Sequence, residues 1–78
     1  MNVTVLWFAG LRERAGSDSE TVALAPTPAE LYRVLRERHG FAFAQAQLRV
    51  AVNGAFVPWA QELAAGDEVA FIPPVSGG

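Results

Sequence analysis

The sequence predicts a two-layer α+β fold in which one main helix packs across a mixed β-sheet. Three observations support this class. Several short stretches are rich in β-branched and aromatic residues, and only residues 28–39 combine helical periodicity with clear start and stop signals. The chain has 78 residues, 51% of them hydrophobic, which suits one compact domain. We therefore expect every element to contribute to a single core.

The first two strands are predicted to pair as an antiparallel hairpin. Residues 3–8 have the composition of a strand, and residues 21–24 supply its partner. Residues 9–16 between them are expected to form a turn or a short helical loop. Because side chains alternate along a strand, residues 3–8 have two faces. One face carries Val3, Val5 and Trp7, and the other carries Thr4, Leu6 and Phe8.

Residues 27–40 carry the strongest helix signal. Thr27 is a predicted N-cap, Pro28 suits the first helical position, and Glu30 completes a capping box. Gly40 is a natural stop. The apolar stripe that faces the sheet is predicted to consist of Leu31, Val34 and Leu35.

Three further strands follow an irregular connection at residues 41–47. They are predicted at residues 48–52, 55–58 and 68–72, with a type I′ turn at Asn53-Gly54 and Pro73-Pro74 ending the last strand. If the first strand lies beside the last, that pair is parallel, and the whole is the β-grasp, or ubiquitin-like, arrangement. We expect a β-grasp domain at residues 1–72 and a flexible tail at residues 73–78 that ends in Gly77-Gly78.

Composition argues against several classes of function. The six basic residues, all arginine, are outnumbered by eight acidic ones, and with a net charge of −2 the chain lacks the electrostatic footprint of a nucleic-acid-binding protein. It has no cysteine, and its one histidine, His39, has no second metal ligand nearby in the sequence. No apolar stretch approaches the ~20 residues that span a bilayer. We expect a cytoplasmic protein without a metal site or membrane segment.

The side chains offer no evident catalytic constellation. His39 is expected to interact with the helix C-terminus, and the carboxylates are expected to be solvated or to act as caps. Asp67 is expected to bond the local backbone.

Two features remain as functional candidates. Leu6, Phe8, Phe56 and Ile72 are predicted to face away from the helix, forming either a partner-binding patch or a surface that residues 41–47 partly cover. The second feature is the glycine pair. It either frays as an ordinary terminus or presents the Gly78 carboxylate through a narrow channel to another protein.

Three segments resemble a known family when they are taken together. They are residues 6–13 (LWFAGLRE), 51–54 (AVNG) and 66–78 (GDEVAFIPPVSGG). The chain resembles, over its whole length, the small subunit of molybdopterin synthase, the MoaD family. The most specific part is the proline pair, small residue and final Gly-Gly.

The resemblance implies a sulfur carrier whose Gly78 carboxylate is adenylated with ATP by a MoeB-type enzyme and becomes a thiocarboxylate. Sulfur then passes to cyclic pyranopterin monophosphate, forming the molybdopterin dithiolene. The large subunit, of the MoaE type, is expected to supply the catalytic side chains in a heterotetramer, and the small subunit to bind no permanent cofactor. Whether the small subunit counts as an enzyme stays open.

The resemblance also assigns site residues. The partner-binding positions are Phe8, Phe56 and Ile72, and the inserted tail comprises Val75, Ser76, Gly77 and Gly78. Two alternatives share the fold: a ThiS-type sulfur carrier for the thiamin thiazole, and a ubiquitin-like protein modifier. An inert binding module is a third.

Overall fold

A computed structural model describes residues 1–74 of the chain. These residues form the predicted β-grasp fold, with five strands and two α-helices. The elements are β1 (Asn2–Trp7), α1 (Ala9–Ala15), β2 (Ser19–Ala23), α2 (Pro28–His39), β3 (Arg49–Val52), β4 (Ala55–Phe56) and β5 (Glu68–Ile72). A single 3₁₀ turn, Gln45–Gln47, lies in the connection between α2 and β3.

The five strands form one mixed sheet in the order β2-β1-β5-β3-β4. The predicted parallel pairing of the first and last strands is confirmed, with Thr4 opposite Glu68 and Trp7 opposite Phe71. The other three pairs are antiparallel. The C-terminal end of the domain therefore leaves the sheet from a central strand.

The core lies between α2 and one face of the sheet, which we call the inner face. The strands contribute the predicted Val3, Val5 and Trp7 of β1, together with Val50, Val69 and Phe71. The helix contributes Leu31, Tyr32 and Leu35. The predicted stripe was wrong at one position, because Val34 is 41% exposed and Tyr32 is buried instead.

Tyr32 can be buried because its hydroxyl finds a partner. Its Oη donates a hydrogen bond of 2.6 Å to the carbonyl of Phe43, and its ring stacks at 6.1 Å from that of Phe41. Burial raises the pKa of Tyr32 above its usual value. The contact fixes the connection after α2 against the helix.

The ends of α2 follow the sequence signals with one difference. The Thr27 hydroxyl accepts a hydrogen bond from the Glu30 amide at 3.3 Å, and Gly40 ends the helix with φ of 72°. The Glu30 carboxylate pairs with Arg33 at 3.1 Å, so the return bond of a full capping box is not formed.

The turns also match the prediction in kind. Asn53 and Gly54 have φ of 51° and 86°, as a type I′ turn requires. Residues 9–16, predicted as a turn or short helical loop, contain the seven-residue helix α1. The strand predicted at residues 55–58 is shorter, because β4 ends at Phe56 and Pro58 has no N–H to donate.

Candidate functional site

The sheet face turned away from α2, which we call the outer face, carries a continuous apolar row. Directly paired residues point to the same side of a sheet. Leu6 pairs with Ala70, Ala70 with Ala51, and Ala51 with Phe56. The row therefore crosses β1, β5, β3 and β4, and Phe56 at its end is 57% exposed.

A second group lies beside this row, where β5 ends. Phe8 and Ile72 line a surface cavity of about 260 Å³ together with Ala9, Pro73 and Pro74. Phe8 follows the last residue of β1 and is 45% exposed. The structure thus brings the predicted Phe8, Phe56 and Ile72 to one side of the sheet. We call the set Leu6, Phe8, Ala51, Phe56, Ala70 and Ile72 the docking face.

The alternative that residues 41–47 cover this face does not hold for the residues described. Phe41 is buried on the inner side, with its ring centroid 4.9 Å from that of Trp7. Phe43 lies next to Gly10 and packs against the core. The segment therefore completes the inner layer and leaves Phe8 and Phe56 accessible.

Backbone strain lies next to Phe8. Ala9 has φ of 49°, in the left-handed region, which costs a residue with a Cβ roughly 1–2 kcal/mol. Phe8 itself is extended (φ −130°, ψ 150°) and precedes the first helical residue of α1. The sequence carried no signal for this turn, because alanine is not a residue that favours it.

The described residues that follow β5 lie beside Phe8 at the edge of the docking face. Pro73 and Pro74 form part of the cavity wall beside Phe8. The predicted tail positions Val75, Ser76, Gly77 and Gly78 lie outside the described residues, and so their assignment stays a prediction.

A polar cluster on the inner side was missed by the sequence reasoning. Glu20 Oε1 accepts a hydrogen bond from Trp7 Nε1 at 2.9 Å and lies 2.6 Å from His39 Nε2. Both side chains are partly buried, so the expectation of a solvated carboxylate was wrong for Glu20. His39 is the last residue of α2 as expected, but its ring is held by Glu20.

The cluster has a structural explanation. It ties β2 to the end of α2, and the His39 ring lies edge-on to Trp7 at 5.7 Å. Among residues 1–74, no buried side-chain nitrogen or oxygen lacks a partner, and no three acidic or histidine side chains converge on a possible metal site. The polar atoms of the cluster therefore bond to one another and stabilise the packing of β2 against α2.

Asp67 behaves as predicted. One carboxylate oxygen accepts from the Ala64 amide at 2.9 Å and the other from Asn53 Nδ2 at 3.0 Å. The Ala64 amide first, and then the Asn53 side chain, hold the pKa of Asp67 below its usual value. The residue links two turns.

Two further cavities occur in the described part of the chain. One of about 440 Å³ lies between the end of β2 and residues 60–63, and one of about 240 Å³ lies between α1 and residues 40–43. Their walls hold a single ionisable residue each, Glu62 and Arg14. No helix within residues 1–74 has the length and apolar character needed to traverse a bilayer.

The family model described as ThiS family matches residues 5–78. The molybdopterin synthase sulfur carrier subunit of Escherichia coli is 39% identical over 97% of this chain and 99% of that one. The human protein of the same name is 37% identical, over 97% of this chain and 93% of that one.

Solved structures of related proteins have the same fold. The crystal structure of SAMP1 from Haloferax volcanii has a TM-score of 0.82 and 30% identity, with full coverage of both chains. A Helicobacter pylori complex of subunits 1 and 2 of molybdopterin-converting factor contains a chain with a TM-score of 0.72 and 25% identity, again with full coverage of both chains. By sequence and by structure, this chain belongs to the ThiS family and, within it, to the molybdopterin synthase small-subunit (MoaD) family.

Proposed function

We propose that this chain is the sulfur carrier subunit of a molybdopterin synthase, with the Gly78 carboxylate as the carrier group. One observation carries the proposal: the chain is 39% identical, over nearly the whole length of both proteins, to a sulfur carrier subunit. The docking face supports the proposal, because a carrier that acts through other proteins needs a surface to which they can bind.

The chemistry of a carboxylate explains the steps. It is a poor electrophile, so a partner enzyme of the MoeB type transfers AMP from ATP to Gly78 and releases pyrophosphate. Hydrosulfide from a sulfur donor then attacks the carbonyl carbon and AMP leaves, and loss of the remaining proton gives a thiocarboxylate. The chain has no cysteine of its own, so the sulfur comes from another molecule. ATP is used by the partner, and no cofactor stays bound to the carrier.

Sulfur delivery requires a second partner protein. We assign Phe8, Phe56 and Ile72 to contacts with the large synthase subunit, of the MoaE type, and Val75, Ser76, Gly77 and Gly78 to the segment that enters its active site. The large subunit supplies the catalytic side chains, and two transfers to cyclic pyranopterin monophosphate complete the dithiolene. The assembly is a heterotetramer in the cytoplasm, with a small subunit at each end of a large-subunit dimer.

The position of the proline pair fits this role. Fixing a backbone residue costs roughly 1–2 kcal/mol of conformational entropy. Pro73 and Pro74 have restricted φ and lie beside Phe8 at the edge of the docking face. The two prolines therefore lower the conformational entropy that is lost when the residues after them bind a partner at the docking face.

A second candidate function is protein modification. Its support is the similarity to SAMP1 of Haloferax volcanii, since related structures carry the name small archaeal modifier protein 1. A modifier would form an isopeptide bond between Gly78 and a lysine of a target. Protein conjugates in cells that express the tagged chain, lost when Gly78 is deleted, would favour this candidate.

Deletion of Gly78 tests the proposal. The buried core of the described chain ends at Phe71, so the truncated protein should fold. We expect it to keep its circular dichroism spectrum and melting temperature while sulfur transfer is abolished in a reconstituted synthase assay. Extension by one residue beyond Gly78 should have the same effect. Molybdopterin formation at the normal rate by the truncated protein would overturn the proposal.

A further inference from the structure

One cation lies within the docking face. Arg49 is opposite Ile72 in the β3–β5 ladder, so its side chain shares the outer face with that residue. Its guanidinium carbon lies 3.9 Å from the centroid of the Phe56 ring. This cation–π contact holds the guanidinium on the sheet, between two of the predicted partner-binding residues.

Arg49 differs from most other arginines in having no polar partner. Within residues 1–74, Arg12 and Arg33 pair with carboxylates, and Arg14 and Arg36 donate to backbone carbonyls. Arg49 makes no salt bridge or hydrogen bond with any described residue, and neither does Arg38 on α2. Only Arg49 belongs to the sheet face that a partner would cover.

Covering this face has a consequence for the charge. A partner that buries Phe56 and Ile72 also removes water from the guanidinium between them. An unpaired buried charge strongly destabilises a complex, and a carboxylate in bidentate geometry compensates a guanidinium best. The partner must therefore bring an acceptor to this point, and a negative charge is the acceptor that also neutralises it.

We propose that Arg49 determines specificity on the docking face by forming an ion pair with a carboxylate of the protein docked there. The inference rests on the proposed function, because it takes the large synthase subunit as that protein. The proposal also distinguishes one end of the docking face from the other by charge. Arg49 lies opposite Ile72, at the end where the chain leaves β5, and Glu68 lies at the other end of β5, about 13 Å from Ile72 along that strand.

The lysine-free sequence allows a direct test. All six basic residues are arginine, so Arg49→Lys introduces the only lysine side chain. A water-soluble carbodiimide joins an amine to a carboxylate in direct contact, forming an amide with loss of water. We expect Arg49→Lys to cross-link to an aspartate or glutamate of the purified large subunit, identified by tandem mass spectrometry. Arg38→Lys on the opposite side of the sheet is the matched control and should give no such product.

Affinity supplies the second measurement. Arg49→Glu should weaken binding to the large subunit by about tenfold or more, since an attraction becomes a repulsion. Arg38→Glu makes the same change in net charge away from the docking face and should alter affinity by less than about threefold. Added salt should weaken the wild-type complex more than the Arg49→Ala complex, because screening acts on the ion pair.

The outcomes separate this proposal from the proposed function. Equal effects of Arg49→Glu and Arg38→Glu would overturn the role of Arg49. So would a cross-link from position 49 to this chain's own C-terminus without one to the large subunit. If Phe8→Ala weakens binding while Arg49→Glu does not, the docking face stands and only the ion pair is refuted. If neither change affects binding, the docking face itself is wrong.

Discussion

The docking face makes a quantitative prediction at Phe8. This side chain is 45% exposed, and a phenylalanine presents roughly 200 Å² of surface, so about 90 Å² is available for burial by a partner. At about 25 cal/mol per Å², that area contributes about 2 kcal/mol to binding. Phe8→Ala should therefore weaken the complex with the large synthase subunit roughly thirtyfold.

Val34→Ala is the matched control. Val34 is 41% exposed, similar to Phe8, but it lies on α2 and on the opposite side of the sheet. Truncating it removes apolar surface from the molecule without touching the docking face. We expect the affinity of Val34→Ala for the large subunit to stay within about twofold of the wild-type value.

Isothermal titration calorimetry with the purified large subunit measures both variants. Because Phe8 is also partly buried, circular dichroism must show that each variant is folded at the titration temperature. Wild-type affinity in Phe8→Ala would refute the placement of the partner. An equal loss in both variants would show that exposed apolar area, rather than its position on the sheet, controls binding.

Further predictions concern the stability of the fold. The amide of Ala64 and the side chain of Asn53 lower the pKa of Asp67, so its stabilising effect is present above the unfolded pKa and is lost as pH falls through the folded value. Asp67→Asn should therefore be less stable than the wild type near pH 7, and the difference should shrink as pH falls through the folded pKa of Asp67, as urea denaturation would show; parallel pH curves would contradict this. Leu35→Ala should lower the free energy of unfolding by about 2–5 kcal/mol, because Leu35 is fully buried, and a change below about 1 kcal/mol would mean that α2 packs differently. Thr27→Ala should lower the free energy of unfolding by about 1 kcal/mol because the N-cap hydrogen bond is lost, whereas Thr27→Ser should be nearly as stable as the wild type.

The fold could be predicted from the sequence where local signals and the core pattern agree. The Thr27, Pro28 and Gly40 signals placed α2 at its observed bounds, and alternation along β1 identified Val3, Val5 and Trp7 as core residues. These are short-range properties of the chain. They do not depend on which other element lies opposite.

The errors arose where a distant partner decides the outcome. Tyr32 replaces Val34 in the helix stripe because the Phe43 carbonyl, eleven residues away, accepts its hydroxyl. Glu20 is held on the inner side of the sheet by Trp7 and His39, which approach it only in the folded chain. No spacing in the sequence indicates these contacts.

The candidate site could be predicted where it depends on alternation along one strand, but not where it depends on the pairing of different strands. Period-two alternation placed Leu6 and Phe8 on the outer face of β1. Arg49 was not singled out, because its position over Phe56 follows from the pairing register of β3 with β4 and β5.

The claim that Gly78 carries sulfur is tested most directly by intact mass spectrometry. The protein would be incubated with ATP, a MoeB-type adenylating enzyme and a sulfur donor, with the Gly78-deleted protein as control. Replacing one carboxylate oxygen by sulfur adds about 16 Da, and fragment ions must place that mass on the last residue, since oxidation of Met1 adds the same nominal mass. We predict the shift at Gly78, dependent on ATP and absent from the control. An unchanged Gly78 mass with an active adenylating enzyme and donor would contradict the account.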